Sequence, residues 1–391
     1  MIFDVDGTLI DTNAAHVDAW LKAMGGYGYH VSPDRIATEI GKGGDKLVPS
    51  ILGEQINRRD GKALGKAHDE EFTRIARSTH LPLFPGVEAL LTNLRHRGMK
   101  TALATSSQRD GFETAQQSAG IDLTKWVDEV VTAEDAPESK PAPHLVAAAM
   151  RKLKLSPAQC AMVGDTPYDI DASRDSGGIC IGLLCGKLND EKALRATGAR
   201  AIYQDPADLL SHLDEALQIA SPGAAHWTEA RMESLMREAL AVARDGMDHG
   251  EAPIGCVLAR GDGTIIARGY NELNRSQNKT SHAEMVAFAR AAGKVPPEAR
   301  DLILVSTLEP CVMCLGASME AAVDTILYGL KAPADGGTGR IRPPLSPESQ
   351  MPRIVGAVLA DESRRLFKEY LRRGPGSSQQ EAFTRQLLEM T

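Results

Sequence analysis

Two sets of side chains in this sequence have the types and the spacing of a reaction centre. Near the start, the segment IFDVDGT carries Asp4 and Asp6 two residues apart, where a short apolar strand is predicted to end. One carboxylate of such a pair can attack a phosphoryl group while the other protonates the leaving oxygen. Anionic groups repel a phosphate unless cations intervene, so this interpretation requires Mg²⁺ and a positively charged side chain.

The rest of the first half of the chain supplies candidates for both. Asp165 follows the apolar run CAMVG and Asp169 lies four residues later, so that two further oxygen ligands are available to a hard cation. Lys140 in ESKPAPH and Thr105 at the end of TALAT are candidates for phosphate binding. An isolated Asp-x-Asp is most simply a solvated loop pair or a helix cap, but four such elements in this order favour phosphoryl transfer.

The second set lies in SHAEM and LEPCVMC. His282, Cys311 and Cys314 offer one imidazole and two thiolates, the ligands of a catalytic zinc ion that keeps its fourth position for water. A helix predicted from Pro310 would place both cysteines on one face of its positive end. Glu284 is then free to carry a proton from the activated water to a ring nitrogen and on to departing ammonia. His-x-Glu with Pro-Cys-x-x-Cys is the pattern of zinc-dependent nucleobase deaminases.

Two other interpretations of the second set remain open at this point. A structural zinc knuckle would require a fourth protein ligand. A thioredoxin-like redox pair would need only Cys311 and Cys314, and would leave His282 and Glu284 without a role.

The elements that must position these residues follow a regular order. In the first half, the short apolar strands IFDVD, TALAT, CAMVGD and GICIGLL alternate with helical stretches, which is typical of a parallel sheet covered on both faces. Residues 14–83 are mostly helical and are expected to form an inserted cap. In the second half we predict a helix, a hairpin of IGCVLAR and TIIARGYN joined at GDG, a helix from His282, the strand LILVSTL, a helix from Pro310, the strand TILYGL and the helix DESRRLFKEYLRR.

The length of 391 residues is beyond the size of a single hydrophobic core, so two domains are expected. The boundary is predicted near Ala220, where a leucine-spaced helix gives way to SPGAAHW. The domains are therefore predicted at residues 1–220, with the cap at 14–83, and at residues 226–373. In the tail, residues 374–391, GPGSSQQ is predicted to be a loose linker and EAFTRQLLEM a short docking helix.

Composition narrows the class of protein. The net charge is −8, with about −1 from His226 to Thr391 and −7 before it, so neither half has the overall positive charge that indicates nucleic-acid binding. No apolar run is long enough to span a bilayer and no signal peptide is evident, which predicts a cytoplasmic protein without a membrane partner. In a reducing compartment, Cys311 and Cys314 indicate metal or redox chemistry before a disulfide.

On the residues described above, residues 1 to about 220 resemble the haloacid dehalogenase superfamily, in its capped phosphatase and β-phosphoglucomutase group. The resemblance implies a Rossmann-like parallel-sheet core with a helical cap, and it leads us to expect further residues before Met1. It assigns roles as follows: Asp4 is the nucleophile that forms an aspartyl-phosphate, Asp6 is the general acid/base, Thr105 and Lys140 bind phosphate, and Asp4, Asp6, Asp165 and Asp169 hold Mg²⁺.

Two positions temper or extend this resemblance. The segment AAHVDAW is similar to the start of the cap in β-phosphoglucomutase relatives, which points His16 toward the active site, although His16 can equally be a polar residue on the first cap helix. His144 stands where relatives carry an aspartate after KPAP. Neither position removes a catalytic group.

The segments APIGCVLARGDGTIIARGYNE, TSHAEMVAFARAA and STLEPCVMCLGAS resemble the cytidine and deoxycytidylate deaminase superfamily, in the branch of tRNA adenosine deaminases and guanine or cytosine deaminases. The resemblance implies a three-layer α/β/α domain, zinc on His282, Cys311 and Cys314, and a homodimer through this domain. It places Asn271 on the base or ribose, with Glu284 and the Ala283 backbone lining the pocket; Asn271 can otherwise be a turn residue ending a strand.

One departure concerns the substrate. After YGL the chain continues KAPADGGTGRIRPPLSPESQMPRIVG, which is longer and richer in proline than the loop of the tRNA enzymes. Our preferred hypothesis is therefore a bifunctional enzyme that hydrolyses a small phosphate ester with Mg²⁺ and deaminates a nucleobase or nucleoside with Zn²⁺. The alternatives are a phosphatase fused to a tRNA adenosine-to-inosine deaminase, and a chain in which one domain serves only for binding or dimerisation.

Overall fold

The computed structural model describes residues 1–220, 223, 227–296, 299–341, 350–374 and 377–391. The chain divides into two compact units, Met1–Ala220 and Ser221–Thr391. Most of the predicted break at SPGAAHW lies outside the described residues. In the described part of the chain, each helix is too short or too polar to cross a membrane.

The first unit is built on a six-stranded sheet in which all pairs are parallel, in the order β3-β2-β1-β4-β5-β6. The central strand β1 pairs on both sides, with Phe3 opposite Leu103 and Val163. The carboxyl ends of β1, β2 and β4 therefore lie side by side. The strands are β1 (Ile2–Phe3), β2 (Ala102–Ala104), β3 (Glu129–Val131), β4 (Ala161–Gly164), β5 (Ile179–Leu183) and β6 (Ala201–Tyr203).

Helices surround this sheet and also form a group between β1 and β2. In that group, the longest helix, α4, packs against α1 and α3. The group has a hydrophobic core of its own, which includes Trp20, Met24, Leu47 and Leu64. The helices of the unit are α1 (Asn13–Gly26), α2 (Pro33–Ala37), α3 (Gly44–Leu52), α4 (Glu54–Ser78), α5 (Val87–His96), α6 (Arg109–Ala119), α7 (His144–Leu153), α8 (Pro167–Asp175), α9 (Glu191–Thr197), α10 (Pro206–Ser211) and α11 (Leu213–Ala220).

The second unit is built on a five-stranded mixed sheet in the order β11-β10-β9-β7-β8. The hairpin of β7 and β8 is antiparallel and β9 is antiparallel to β7, whereas β9, β10 and β11 are parallel. The strands are β7 (Gly255–Ala259), β8 (Ile265–Tyr270), β9 (Leu302–Leu308), β10 (Val323–Leu330) and β11 (Arg353–Val355).

The helices of the second unit pack on this sheet. Glycine allows the closest approaches: a Cβ on Gly255 of β7 would lie 2.3 Å from Ala239 O, and one on Gly269 of β8 would lie 2.4 Å from Ala283 O. The helices are α12 (Glu229–Asp248), α13 (Leu273–Ser276), α14 (Ala283–Ala291), α15 (Val312–Glu320), α16 (Ala360–Arg373) and α17 (Ser378–Met390).

The fold class predicted from the sequence is confirmed, and the structure differs at the edges of the elements. Strands β3, β6 and β11 were not predicted; each has three residues and lies at the edge of its sheet. The predicted linker GPGSSQQ is partly helical, because α17 begins at Ser378 with Ser377 as its cap. Residues 375–376 of that linker lie outside the described part.

Candidate active sites

Three carboxylates meet at the carboxyl ends of β1 and β4. Asp4 follows β1, Asp165 follows β4 and Asp169 lies in the first turn of α8. One ligand oxygen from each lies within 4.8 Å of the others, and all three side chains are buried. Lys140 is buried among them, donating to Asp4 Oδ1 and, at 2.7 Å, to Asp169 Oδ1. The structure thus brings together four of the predicted phosphatase residues.

The charges of this cluster fit a divalent cation. Three buried carboxylates face one ammonium group, so the set has two more negative than positive charges when ionised. Burial raises the pKa of Asp165 to about 7 and that of Asp4 well above its usual range. Oxygen ligands of this kind suit Mg²⁺, which would supply the missing charge. Asp169 has less freedom to bind it, because its Oδ2 accepts from Thr166 N at 3.0 Å and Thr166 Oγ1 at 2.7 Å.

Asp6 was also predicted to bind Mg²⁺, but the structure gives its carboxylate a different set of partners. Its Oδ2 accepts from Thr105 Oγ1 at 3.0 Å and from Ser107 Oγ at 2.9 Å, and its Oδ1 accepts from Thr12 Oγ1 at 2.9 Å. Burial alone would raise the pKa of Asp6. The charge of nearby His16 and the hydrogen bonds to the carboxylate outweigh burial and hold this pKa below its usual range. The predicted phosphate ligand Thr105 therefore lies beside the predicted acid/base.

A chain of imidazoles connects Asp6 to the helices between β1 and β2. His16 Nε2 lies 3.1 Å from Asp6 Oδ1, His16 Nδ1 lies 3.1 Å from His68 Nε2, and His68 Nδ1 lies 3.0 Å from Asp69 Oδ1. Stacking holds both rings, with centroids 4.1 Å apart for His16 and Phe72 and 4.3 Å for Trp20 and His68. The predicted orientation of His16 toward the site is what the structure shows.

This chain fixes the number of protons on the two rings. With Asp6 and Asp69 ionised, the three links need three protons on four ring nitrogens, one more than two neutral imidazoles carry. Burial lowers the pKa of His68 and so disfavours the extra proton on that ring. When that proton moves to Asp6, both rings become neutral and every link is kept. Asp6 can therefore be supplied with a proton without loss of a hydrogen bond.

The cluster opens into a cavity of about 1070 Å³. Asp4, Asp6, His16 and Lys140 line it together with residues of α1, α3 and α4. The lining also includes the cationic side chains of Lys42, Arg59, Lys62 and Lys66 and the acidic side chains of Asp45, Asp69 and Glu138.

Sequence reasoning missed two residues that hold Asp165 in place. Thr8 Oγ1 donates to Asp165 Oδ1 at 3.0 Å, and Asn13 Nδ2 donates to Asp165 Oδ2 at 2.9 Å. Both follow Gly7, whose positive φ of 77° turns the chain back over the cluster and where a Cβ would lie 2.4 Å from Asp165 Oδ2. The signal was the turn-forming Gly directly after the paired carboxylates.

The second site lies where two helices of the second unit begin. His282 is the N-cap of α14 and Cys311 is the N-cap of α15, with Cys314 in its first turn. The helix predicted from Pro310 thus starts two residues later, since Cys311 has extended backbone angles. The free N–H groups in the first turn of α15, together with the positive end of the helix dipole, favour thiolates at this position.

The three predicted ligands have the geometry of a zinc site. Cys311 Sγ lies 3.4 Å from His282 Nδ1 and 3.6 Å from Cys314 Sγ, and Cys314 Sγ lies 3.6 Å from His282 Nδ1. Tetrahedral zinc with bonds of about 2.0–2.3 Å places its ligand atoms about 3.3–3.8 Å apart, so the set fits this ion. Hydrogen bonds from Cys314 and His282 lower the pKa of Cys311 to about 4, although burial acts in the opposite direction.

Glu284 lies beside these ligands on the first turn of α14. Its carboxylate is 3% exposed and accepts from Ser306 Oγ at 3.0 Å and from Cys314 Sγ at 3.4 Å. Burial is the main cause that raises the pKa of Glu284. A buried carboxyl of raised pKa next to a water-activating ion is suited to move protons.

These residues face a cavity of about 670 Å³. His282, Glu284, Cys311 and Asn271 line it, and Asn271 is held by a hydrogen bond from its N–H to Ile254 O at 3.1 Å. Ala283, also predicted here, lies fully buried in the core of the unit and is not among the described residues that line the cavity.

Glu309 is a residue that the sequence did not single out. It is buried and its Oε2 accepts from Ala332 N at 2.9 Å, while its Oε1 accepts from Thr338 N at 3.3 Å. These bonds hold the loop after β10 against the segment that carries Cys311. Part of that proline-rich loop, residues 342–349, lies outside the described residues.

The first unit therefore has the fold and the carboxylate cluster of a phosphoryl-transfer hydrolase. The second unit has the fold and the histidine–cysteine cluster of a hydrolytic deaminase. Family models agree: haloacid dehalogenase-like hydrolase matches residues 1–182, and the cytidine and deoxycytidylate deaminase zinc-binding region matches residues 229–330. The chain belongs to the haloacid dehalogenase-like hydrolases by its first unit and to the cytidine and deoxycytidylate deaminases by its second.

Individual relatives match one unit each. A phosphorylated carbohydrates phosphatase of Thermotoga maritima is 29% identical over 218 residues, which are 56% of this chain and 99% of the relative. A hydrolase structure from Pseudomonas syringae is 32% identical with a TM-score of 0.51, covering 55% of this chain and 97% of that one. A tRNA-specific adenosine deaminase of Streptococcus pyogenes is 34% identical over 142 residues, 36% of this chain and 89% of the relative.

Some relatives are much longer proteins. A tRNA(Ile)-lysidine synthase of Deinococcus radiodurans is 39% identical over 140 residues, which are 35% of this chain. The chain spans 24% of the length of that synthase and 30% of another from Deinococcus deserti. The similarity to these synthases concerns part of each protein.

Proposed function

We propose that this chain is a bifunctional enzyme, a Mg²⁺-dependent hydrolase of a small phosphate ester joined to a Zn²⁺-dependent deaminase of a nucleobase or nucleoside. The observation that supports it most strongly is that each unit brings a complete set of reactive side chains together. Of these, Asp4, Asp6 and Lys140 line the first cavity, and His282, Glu284 and Cys311 line the second. This completeness also argues against a unit that serves only for binding or dimerisation.

In the first unit, Asp4 attacks the phosphoryl group and forms an aspartyl-phosphate. Asp6 protonates the leaving oxygen with the proton shared with His16, and then, as a carboxylate, accepts a proton from the water that hydrolyses the intermediate. Lys140 and Thr105 are proposed to bind the phosphate oxygens. Mg²⁺ on the Asp4–Asp165–Asp169 cluster would neutralise the charge that the phosphate brings.

In the second unit, Zn²⁺ held by His282, Cys311 and Cys314 would lower the pKa of water so that it can attack the ring. Glu284 takes one proton of this water and passes it to the ring nitrogen. It then takes the second proton from the hydroxyl group that has been added to the ring carbon and gives it to the amino group, which leaves as ammonia while the carbonyl group forms. Ser306 orients Glu284 through the 3.0 Å hydrogen bond. Asn271 is proposed to bind the base or the ribose from the cavity wall.

A second candidate for the deaminase is a base within tRNA. It is favoured by the relatives whose printed names are tRNA-specific adenosine deaminases, at 33–34% identity. The two candidates differ in charge. A tRNA binds through phosphates that lysine or arginine side chains neutralise, so its binding weakens steeply as the salt concentration rises.

The test is to follow ammonia release from guanine, adenine, cytosine, their nucleosides and total tRNA at about 50 and about 200 mM salt. Phosphate release from a panel of sugar and nucleotide phosphates is measured on the same zinc- and magnesium-loaded protein. We expect deamination of a base or nucleoside with rates that barely respond to salt. Deamination of tRNA alone, with a steep salt dependence, would establish the second candidate instead.

A further inference from the structure

The cavity of the second unit has a wall that the tail of the chain provides. Three residues of α17, Gln379, Gln380 and Phe383, line it together with His282 and Glu284. The segment from Ser378 to Met390 is thus part of the site, although the sequence suggested a loose linker and a short docking helix.

Hydrogen bonds fix this helix at the cavity. The Gln380 side chain is 6% exposed; its Oε1 accepts from Ala252 N at 2.6 Å and from Tyr370 OH at 2.9 Å, and its Nε2 donates to Glu251 Oε2 at 2.8 Å. The other oxygen of Glu251 accepts from Arg275 N at 2.8 Å, in the short helix α13. One amide therefore connects α17 directly to residues 251–252 and to α16, and through Glu251 to α13.

Apolar packing determines where the helix lies along the cavity. Leu387 is buried with Leu308 and Leu330, the last residues of β9 and β10, and Phe383 and Leu388 pack against the same cluster. Because β9 leads directly into the segment of Cys311, the position of α17 is fixed relative to the metal ligands.

Phe383 offers the cavity an apolar aromatic ring. It is the only aromatic side chain among the described residues that line this cavity, and it is partly buried. Aromatic rings bind bases by stacking, whatever the base. Asn271 provides an amide for directional hydrogen bonds. The rest of the lining combines apolar side chains such as Ile254, Leu308 and Met313 with polar and charged ones that include Gln277, Lys279, Asp335 and Arg340.

We propose that α17 determines the substrate class of the deaminase: Phe383 packs on the base or sugar, and Gln380 is a positioning residue that holds the helix there. With α17 in place we expect a free base or nucleoside as the substrate, because the helix forms one wall of the cavity and so limits the room for a polynucleotide. The cavity volume of about 670 Å³ lies within the range of small-molecule sites. This inference rests on the proposed deaminase function.

The test compares Phe383→Ala with Leu388→Ala in the full chain. Leu388 is its matched control, since it is a partly buried apolar residue of the same helix and cluster but does not line the cavity. Zinc content and melting temperature are measured first, then kcat and KM for the best base or nucleoside. We expect Phe383→Ala to raise KM by roughly 5-fold or more with kcat retained, and Leu388→Ala to leave KM within about 2-fold of the parent.

Gln380→Leu tests the positioning role. It is expected to raise KM with zinc content unchanged, and the variant that combines it with Phe383→Ala is expected to lose no more than Phe383→Ala alone, because both act through the same ring. Additive losses would contradict the positioning role. An unchanged KM in Phe383→Ala, or equal effects of Phe383→Ala and Leu388→Ala, would overturn the contact between Phe383 and the substrate.

The last experiment offers the protein an RNA hairpin with an unpaired adenosine as a substrate. We expect the parent to reject it and to accept the free nucleoside. If the parent deaminates only the hairpin, the substrate class proposed for α17 is wrong while the deaminase function stands. If the zinc-loaded parent neither binds a nucleoside in equilibrium dialysis nor releases ammonia from any compound, the deaminase function itself fails, and this inference fails with it.

Discussion

At the scale of single residues, the two sites use buried carboxyl groups in different ways. Asp4 and Asp165 are buried among other carboxylates; burial, and after it the neighbouring negative charges, raise their pKa values, so a cation is needed to ionise them together. Asp6 accepts hydrogen bonds on both oxygens and its pKa is lowered. Glu284 has a raised pKa through burial, with one hydroxyl and one thiol as partners. These surroundings fit the roles that we propose: nucleophile for Asp4, acid/base for Asp6 and proton carrier for Glu284.

Glu284 allows a test that separates metal binding from proton transfer. Glu284→Gln should retain zinc, since the ligands are His282, Cys311 and Cys314, but lose deamination by about 10²–10⁴-fold. Ser306→Ala, which removes only the hydrogen bond to Glu284, should give a smaller loss. Zinc is measured by metal analysis and activity by ammonia release; loss of zinc in Glu284→Gln would make Glu284 a ligand.

The imidazole chain predicts that His68 acts only through His16. His16→Ala removes the group next to Asp6, and His68→Ala removes the partner that orients it. We expect both to lower kcat/KM for phosphate release and the double variant to be no slower than His16→Ala. This corresponds to an interaction free energy of about 0.5–3 kcal/mol in a double-mutant cycle.

His80 offers a control for that cycle, because it is an exposed histidine that contacts Ser118 O. His80→Ala combined with His16→Ala should be additive. Additivity between His16 and His68 would instead show that the two rings contribute separately.

At the scale of elements, glycine positions decide how closely helices approach the sheet of the second unit. A Cβ on Gly269 would meet Ala283 O at 2.4 Å and Ala287 N at 2.6 Å, both backbone atoms of α14 that cannot turn aside. Gly269→Ala should therefore move α14, which carries Glu284, and cost about 1–3 kcal/mol of unfolding free energy. Deamination and zinc content should fall with it.

Gly316 is the matched control, because it lies inside α15 and a Cβ there meets no atom within 4 Å. Gly316→Ala should stabilise the unit by up to about 1 kcal/mol through helix propensity. Urea unfolding of both variants measures the difference. A Gly269→Ala variant as stable as the parent would contradict the close packing of α14 on β8.

The same elements show what a sequence can predict. Buried central strands, including the short β1 and β2, and helices with periodic apolar faces were predicted because burial imposes an apolar pattern on them. Residues 129–131 and 201–203 are edge strands with half-buried residues, so they have no such pattern. Asp4, Asp165 and Thr105 were predicted because the ends of parallel strands lie together, whereas His282, Cys311 and Cys314 were predicted from their residue types and spacing. Thr8, Asn13 and Glu309 act through contacts distant in sequence, and spacing does not reveal those.

The helix α17 is the clearest case of information that is absent from local sequence. Its buried positions Gln380, Thr384 and Leu387 include two polar residues, so its buried face resembles a solvated one. Gln380 is buried because its partners Glu251, Ala252 and Tyr370 are brought to it by the fold. Only the assembled structure shows that this part of the tail belongs to a site.

At the scale of the whole molecule, the two units offer sets of ligand atoms that suit different metals. Oxygen ligands at Asp4, Asp165 and Asp169 suit Mg²⁺, which exchanges readily, whereas the thiolates of Cys311 and Cys314 suit zinc that copurifies. The covalent joining of a phosphatase to a deaminase makes chemical sense if both act on one metabolite, with phosphate removed from a nucleotide and the amino group removed from the nucleoside that results.

This hypothesis predicts how the two reactions depend on each other. Asp4→Asn should abolish phosphate release and Glu284→Gln should abolish ammonia release, while each variant keeps its other activity when given that activity's own substrate. Given the nucleotide, however, Asp4→Asn should release neither product, because no nucleoside is formed, whereas Glu284→Gln should still release phosphate. Given the nucleoside directly, Asp4→Asn should release ammonia at the parent's rate. Both products are followed in one reaction mixture, and ammonia from the nucleotide in Asp4→Asn would show that the deaminase acts before or without the phosphatase.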